Sequence, residues 1–416
     1  MRIGKTVPPA ALPITLAQLC AGILAVFGGV TSIARFRDEL CAYFQVEHCF
    51  LMSSGKAGLV LILKALQELH PGRDEVLIPA FNCFSVPAAI VRAGLKISLC
   101  DIDAETLDFD YKQLRGRLRN PRLLCVIPAH LFGRPADMDR LKKLLAGSEV
   151  TLVEDAAQAF GGEVAGRKLG TLGDVGFFSF GRGKALSTVG GGAILTNRRD
   201  LAERIGRIYR CLPSPTGKRT LGLFFYALAL AVFQSPRLFW LPNAIPALKL
   251  GQTIYDPEFG IGGFTAFQAG LARGWRDRIE RFKRIRRRHT TEWAGFLNAH
   301  GQRHYSLDRD EGLALIRLPW RVGSEALSSR ILARSRRDGL GIAAVFPSSI
   351  AGIPALGERF RPADYPMAEK CARTLVTLPV HPLVGCREVA RIKRALGELL
   401  IPEESPGCWV EGEKAV

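Results

Sequence analysis

The sequence predicts an α/β fold, with a mainly parallel sheet carrying helices on both faces in a large domain and a smaller α/β domain at the C-terminal end. Three observations carry this. Seven apolar runs of strand length lie between residues 48 and 197, helix-like amphipathic stretches separate several of them, and several runs end in Pro, Gly, Asp or Ser. The runs are His48 to Met52, Val76 to Pro79, Lys96 to Cys100, Leu123 to Pro128, Val150 to Glu154, Val175 to Phe180 and Gly192 to Thr196. Lys56 to Leu69 and Asp137 to Leu145 read as helices between them. Such alternation gives a parallel sheet covered on both faces, and sheets of that kind bind ligands beyond the carboxyl ends of their strands.

The 416 residues are 48% apolar and 23% charged, which excludes a disordered chain, a collagen-like fibre and a small disulfide scaffold. With 57 Lys plus Arg against 39 Asp plus Glu, the net charge is +18 and favours anionic partners: nucleic acid, a phosphorylated small molecule or an acidic membrane surface. The ten cysteines are scattered without a C-x-x-C pair or a close Cys/His group, so a reducing compartment and no structural metal are expected.

Thr6 to Ala34 is uncharged and superficially like a signal or anchor, but Pro8, Pro9, Pro13 and Gln18 interrupt it. Helix breakers then leave about a dozen good apolar residues against the roughly 20 a span needs, so a membrane span there is the second reading and not the first. Residues 198 to 250 break the strand and helix rhythm. Thr220 to Pro236 is again uncharged and reads first as a buried helix plus a loop, and second as an interfacial segment with basic flanks. Arg273 to His289 holds nine basic residues and two acids; as a helix it aligns Trp275, Ile279 and Phe282 on one stripe and leaves a solvated basic face. No recognised nucleic-acid motif accompanies it. Runs such as Leu313 to Leu318 and Leu375 to Val380 belong to the smaller domain, and the polar tail after Ile401 is expected to fray. The domains are drawn as 1–250, with an apolar insertion at about 220–248, and 251–416.

Gly55-Lys56 and Gly183-Lys184 both fail as phosphate loops, since Phe stands where the leading Gly belongs and Ala follows each Lys. Gly260, Gly262 and Gly263 fail as a dinucleotide fingerprint, and neither H-E-x-x-H nor G-x-S-x-G occurs. What remains is an acid, Asp155, at the end of the fifth run and a lysine, Lys184, in the loop after the sixth. A lysine of lowered pKa condenses with carbonyls and a carboxylate holds a protonated pyridine nitrogen, the arrangement that pyridoxal phosphate chemistry needs. Taken singly, Asp155 could cap a helix, Lys184 could be a surface charge and Ser54-Gly55 could be a turn.

The succession of motifs resembles the DegT/DnrJ/EryC1/StrS family of pyridoxal-phosphate-dependent sugar aminotransferases over roughly residues 35 to 400. Ser54-Gly55-Lys56-Ala57-Gly58-Leu59, Gly72 to Val76, Pro79 to Asn82, Asp101-Ile102-Asp103, His130 to Gly133, Asp137-Met138-Asp139, Glu154 to Ala159, Gly173-Asp174, Phe178-Ser179-Phe180 and Lys184 carry it in order. The resemblance implies a fold-type I pyridoxal 5'-phosphate enzyme in which Lys184 bonds the cofactor and later shuttles the proton. It implies that Asp155 pairs with the ring nitrogen, that Gln158 lies against the phenolic oxygen, and that Gly55, Lys56 and Ser179 hold the phosphate. Free N–H groups at the start of the helix from Lys56 suit the same dianion. The stacking aromatic of many relatives falls near Cys83, with Phe84 as its substitute.

Several motifs depart from the family's. Lys56 replaces a Thr, Val189-Gly190-Gly191-Gly192 lacks an acid, and Ile261-Gly262-Gly263-Phe264 stands for Asn-Tyr-Arg-Met before Gln268-Ala269-Gly270. In relatives that Asn reaches the neighbouring subunit, so the cross-subunit contact or the substrate differs here. The expectation is a homodimeric, cytoplasmic aminotransferase. It would move an amino group from glutamate to a nucleotide-linked keto-sugar for polysaccharide or glycan precursors, with no nucleic acid partner and membrane association left open. The alternatives are another amine acceptor, or a membrane-associated non-catalytic relative.

Overall fold

The computed structural model describes residues 4–245, 248, 251, 253–307 and 312–400; the polar tail lies outside the described residues. In chain order the elements of the first half are α1 (Leu16–Phe44), β1 (His48–Met52), α2 (Gly55–Leu69), β2 (Glu75–Pro79), α3 (Ser85–Arg92), β3 (Lys96–Cys100), α4 (Tyr111–Arg117), β4 (Leu123–Val126), α5 (Met138–Leu145), β5 (Thr151–Asp155), the hairpin β6 (Glu163–Val164) and β7 (Arg167–Lys168), β8 (Val175–Ser179) and β9 (Gly192–Thr196). There follow α6 (Arg199–Arg210), α7 (Gly217–Phe233), α8 (Trp240–Asn243), α9 (Ala266–Ala272), α10 (Trp275–Ala299), β10 (Arg317–Arg321), α11 (Glu325–Asp338), β11 (Ala343–Ala344), α12 (Pro366–Thr374), β12 (Leu375–Pro379) and α13 (Cys386–Leu400).

The seven-stranded sheet runs β1-β9-β8-β5-β4-β2-β3. From β8 to β3 all pairs are parallel, and β9 is inserted antiparallel between β8 and β1. The expected mainly parallel sheet is therefore present, and the carboxyl ends of β1, β2, β5 and β8 share one edge. Alternation along β8 builds both cores: Phe177 joins the cluster containing Leu59, Ile62 and Leu63 of α2, whereas Phe178 faces Phe44 and Phe160 on the other side. The second, antiparallel sheet runs β10-β12-β11, with α10 tied to β12 by the Trp293 indole N–H donating to Pro379 O at 3.0 Å.

Two expectations about helices need correction. Pro8, Pro9 and Pro13 precede α1 instead of breaking it; Thr15 and Gln18 form a capping box, and 29 residues of helix follow with a non-helical break at Gly29 (φ 51°). This helix is long and apolar enough to cross a bilayer by length and composition. The stretch read first as a buried helix is α7, of which only Ala227 and Leu230 are buried. By contrast, α10 buries Trp275, Ile279 and Phe282 on one stripe as expected, and Arg286 on the same stripe as well.

Candidate active site

The edge formed by the strand ends gathers most of the residues singled out in the sequence. Ser54 caps α2, its Oγ accepting from the Ala57 N–H at 3.1 Å. Among the described residues the Lys56 N–H has no hydrogen-bond partner, so the helix start offers a donor to an anion. The backbone is packed tightly around it. A Cβ on Gly55 would lie 3.0 Å from both Phe178 O and Ser179 Cβ, and one on Gly192 would lie 2.6 Å from Gly55 N. Met52, Gly192 and Ser179 are register partners across β1, β9 and β8, so Gly55 and Ser179 sit side by side at the edge.

Asp155 ends β5 in the same edge, 7% exposed. Its Oδ1 accepts the Ala157 N–H at 3.1 Å, and its backbone is fixed by bonds to Pro128 O and from the His130 N–H, each 3.0 Å. Burial raises its pKa, and the positive charge of Lys184 opposes that rise. Behind them, Glu154 is fully buried: Oε1 accepts the Gly173 N–H at 2.6 Å, and Oε2 accepts the Gly170 N–H at 2.9 Å and faces His130 Nε2 at 2.9 Å. Because His130 Nδ1 accepts the Ala136 N–H at 3.0 Å, the ring proton sits on Nε2 and is donated to Glu154.

Lys184 lies in a loop made by Gly183 (φ 78°), and its carbonyl accepts from Arg286 Nη2 at 3.4 Å. Arg286 is 3% exposed, and burial without a carboxylate lowers its pKa to about 10. The N-terminal arm covers this loop. A Cβ on Gly183 would meet Ala10 Cβ at 2.9 Å, and the Pro8 carbonyl accepts from His381 Nε2 at 2.7 Å.

The remaining candidates are placed differently. The Gln158 amide oxygen accepts the Phe132 N–H at 2.9 Å, leaving its NH2 group as the donor available to a ligand. The Lys56 ammonium lies 4.0 Å above the Phe259 ring and 4.0 Å from Asp256; burial lowers its pKa and Asp256 opposes the shift. The Phe84 ring is 5% exposed and packs on Phe346 at 6.4 Å, so that ring belongs to the core, while Cys83 is half-buried near Lys56. Sequence reasoning missed Arg286 and the arm. It also missed Gln268, whose buried Nε2 has no partner among the described residues and lies 3.2 Å from where a Gly191 Cβ would stand.

A lysine opposed to a buried carboxylate, beside a helix start with an unused N–H, matches the two charged ends of pyridoxal phosphate: a cationic ring nitrogen and a dianionic phosphate. The sheet topology is that of the fold-type I class. Residues 26–222 match the model of the DegT/DnrJ/EryC1/StrS aminotransferase family.

Similar curated proteins include the L-glutamine:2-deoxy-scyllo-inosose aminotransferase of Streptoalloteichus tenebrarius, 37% identical over 43% of this chain and 42% of that one. The GDP-perosamine synthase of Caulobacter vibrioides is 34% identical over 42% and 46% of the two chains. The chain thus spans less than half the length of these relatives in alignment. In shape the likeness is wider. DesI, solved with its TDP-sugar product, superposes with a TM-score of 0.75 at 23% identity over 96% of this chain and 94% of its own. 3-Amino-5-hydroxybenzoic acid synthase gives 0.75 at 22% over 96% and 99%.

Proposed function

We propose that the protein is a pyridoxal-5'-phosphate-dependent aminotransferase that transfers an amino group, from glutamate, to a keto-sugar carried on a nucleoside diphosphate, in the making of glycan precursors. The observation that carries this reading is the placement of buried Asp155 at the end of β5, beside the neighbouring strand β8 whose following loop carries Lys184. The cofactor, when bound, supplies an electron sink for the carbon that loses and regains a proton. In this reading Lys184 Nζ bonds the cofactor and takes and returns that proton. Asp155 holds the ring nitrogen protonated, and Gln158 donates to the phenolic oxygen. The Lys56 N–H, Gly55 and Ser179 receive the phosphate, and Arg286 fixes the Lys184 backbone from behind. The division into a large unit (1–250) and a small unit (251–416), the homodimer and a cytoplasmic location belong to the same proposal. The two separate sheets support the division, although residues 263–275 pack back onto the large one.

A second acceptor class is favoured by one observation: a relative at 37% identity is named for an inosose, a ring ketone without a nucleotide. Borohydride reduction of the purified protein followed by peptide mass mapping tests the cofactor assignment, with a pyridoxyl adduct on Lys184 expected and its absence overturning the reading. Amination assays with glutamate or glutamine, across nucleotide-linked keto-sugars and free inososes, then decide the acceptor. Turnover of inososes alone would replace the nucleotide-sugar assignment.

A further inference from the structure

Apolar surface on this protein is concentrated on one set of elements. Of eighteen exposed large apolar side chains among the described residues, seventeen lie on α1, on α7 or between Leu238 and Ile254, and only Val91 lies elsewhere. The most exposed are Phe27 (86%), Val30 (81%), Leu16 (75%), Leu24 (63%) and Phe225 (58%). Scattered single residues would need no explanation, but a concentration on neighbouring helices does. The helices are neighbours because a small core joins them: Leu19 of α1, Ala227 and Leu230 of α7 and Phe267 and Leu271 of α9 form one cluster. The family match begins at residue 26 and ends at 222, so the start of α1 and most of α7 lie outside the shared segment.

The charge around this face selects its occupant. Residues 204–255 contain seven basic residues and no acid, and residues 1–37 contain four basic residues and no acid. Lys218 and Arg237, at the two ends of α7, are exposed and make no ion pair among the described residues. Arg37, Arg207 and Arg210, against the single acid Glu203, line a recess of about 680 Å³ whose apolar wall includes Val30 and Ile33 of α1, with Arg37 also paired to Asp38 at 2.8 Å. A second copy docking symmetrically on this face would bring the same basic rim against itself. An anionic lipid surface offers acyl chains to the apolar face and phosphates to the rim.

We propose that the α1–α7 face is a docking surface for a bilayer containing anionic phospholipid, and that the protein lies on that bilayer instead of crossing it. The lateral seating follows from how α1 is held. A Cβ on Gly22 would lie 2.6 Å from the Phe267 ring, one on Gly270 would lie 2.6 Å from Ala25 Cβ, and Gln18 Nε2 donates to Leu271 O at 3.2 Å. Phe36, Leu40 and Phe44 at the far end are buried in the aromatic core. Spanning would require α1 to leave both contacts, whereas docking uses only the side chains already exposed. The inference is independent of the aminotransferase reading, because its readout is vesicle binding and not turnover.

The test is flotation of the full chain with vesicles of phosphatidylcholine alone and of phosphatidylcholine with phosphatidylglycerol, at low and high salt. Wild type is expected to float with the anionic vesicles and to be released in part by salt. Phe27→Asp with Phe225→Asp is expected to weaken the partition by on the order of 100-fold, since two aromatic side chains leave the membrane. Lys218→Glu with Arg237→Glu should remove the preference for anionic over neutral vesicles. An unchanged thermal melt confirms that each variant is folded, as expected for exposed positions. Failure of wild type to float, or flotation of the Phe27/Phe225 variant like wild type, overturns the proposal. So does a variant that changes oligomeric mass while vesicle binding stays the same, which would make the face a contact between copies.

Discussion

Acid should release the N-terminal arm, and His381 is the group through which it does so. The ring is 1% exposed, its Nε2 donates to the Pro8 carbonyl at 2.7 Å, and its Nδ1 accepts the Leu383 N–H at 3.3 Å. Both nitrogens are used in the neutral form, and a second proton would have no acceptor. Burial first, and then the nearby positive charges of Arg286, His289 and Arg317, lower its pKa from 6.5 to about 3, against the opposing effect of the Pro8 bond. The sign follows directly. Above pH 6.5 the residue is neutral folded or unfolded and contributes no pH dependence. Below that value the unfolded chain takes a proton that the folded chain refuses, so stability falls with decreasing pH until about pH 3. Each pH unit in this window costs about 1.4 kcal/mol, giving about 2 kcal/mol at pH 5 and about 5 kcal/mol at the lower limit. Urea unfolding of wild type and His381→Gln between pH 7.5 and pH 5 measures the effect, because Gln keeps a donor for Pro8 but does not titrate. Wild type should lose about 2 kcal/mol more than the variant across that range. Stability curves that run parallel would refute the reasoning, and with it the neutral ring as the clamp on the arm.

Three further outcomes follow from the site. Glu154→Gln keeps one acceptor oxygen but turns an NH2 group either toward the Gly173 N–H or toward the Gly170 N–H and His130 Nε2–H, and should cost about 2–4 kcal/mol in urea unfolding. Gly192→Ala sets a Cβ 2.5 Å from Phe178 O and 2.6 Å from Gly55 N, both backbone atoms; a loss of about 1–3 kcal/mol and weaker pyridoxal phosphate binding are expected by melting and by titration. Lys184→Ala should lower amination at least about 100-fold while leaving the thermal melt of the cofactor-free protein within about 1 kcal/mol of wild type, since only backbone atoms of Lys184 are hydrogen-bonded.

The strands were legible because a sheet buried on both faces requires unbroken apolar runs, and the seven runs agree with β1–β5, β8 and β9 to within about two residues. Asp155 and Lys184 stood out as a strand-end acid and a loop lysine, but it was the succession of motifs and not their position alone that gave them roles. What escaped the sequence reading depends on exposure and on partners far along the chain. The pattern of α7 does not say which side chains meet a neighbour, so an apolar helix with two buried residues reads the same as a core helix. In α1 the prolines were visible, but that they lie before the capping box and not inside the helix depends on Thr15 and Gln18 acting together. Arg286 carried a signal that was passed over: it follows Phe282 by four residues, on the stripe already assigned to the core. Nothing in the local sequence at Lys56 points to Asp256 and Phe259, which lie about two hundred residues away.

The loop at 189–192 and the segment at 261–264 are packed against each other, although at Gly190, where the acid is missing, a Cβ would have room, 3.6 Å from Gln268 Nε2. Gly191 adopts φ 102° and has the Phe264 ring against its Cα, so a side chain there would be strained by the backbone and blocked by the ring. Phe264 in turn is 1% exposed and packs with Phe36 of α1 at 5.8 Å and Phe180 at 6.2 Å. The residues before it are pinned to the end of β1, with the Ser53 N–H donating to Gly262 O at 2.8 Å and the Gly262 N–H donating to Ser53 Oγ at 3.2 Å. Residues 261–264 are thus committed to their own subunit's core, through the same aromatic cluster that seats α1. A polar residue at 264 would have to leave that cluster, and a bulky one at 191 would push the ring out of it. The glycine loop beside the candidate phosphate site, the inward-turned 261–264 segment and the apolar α1 are one packing solution. A change at Phe264 should therefore be felt both at Gly191–Gly192 and along α1, where a lone change in a substrate-contacting loop would be felt at only one of them.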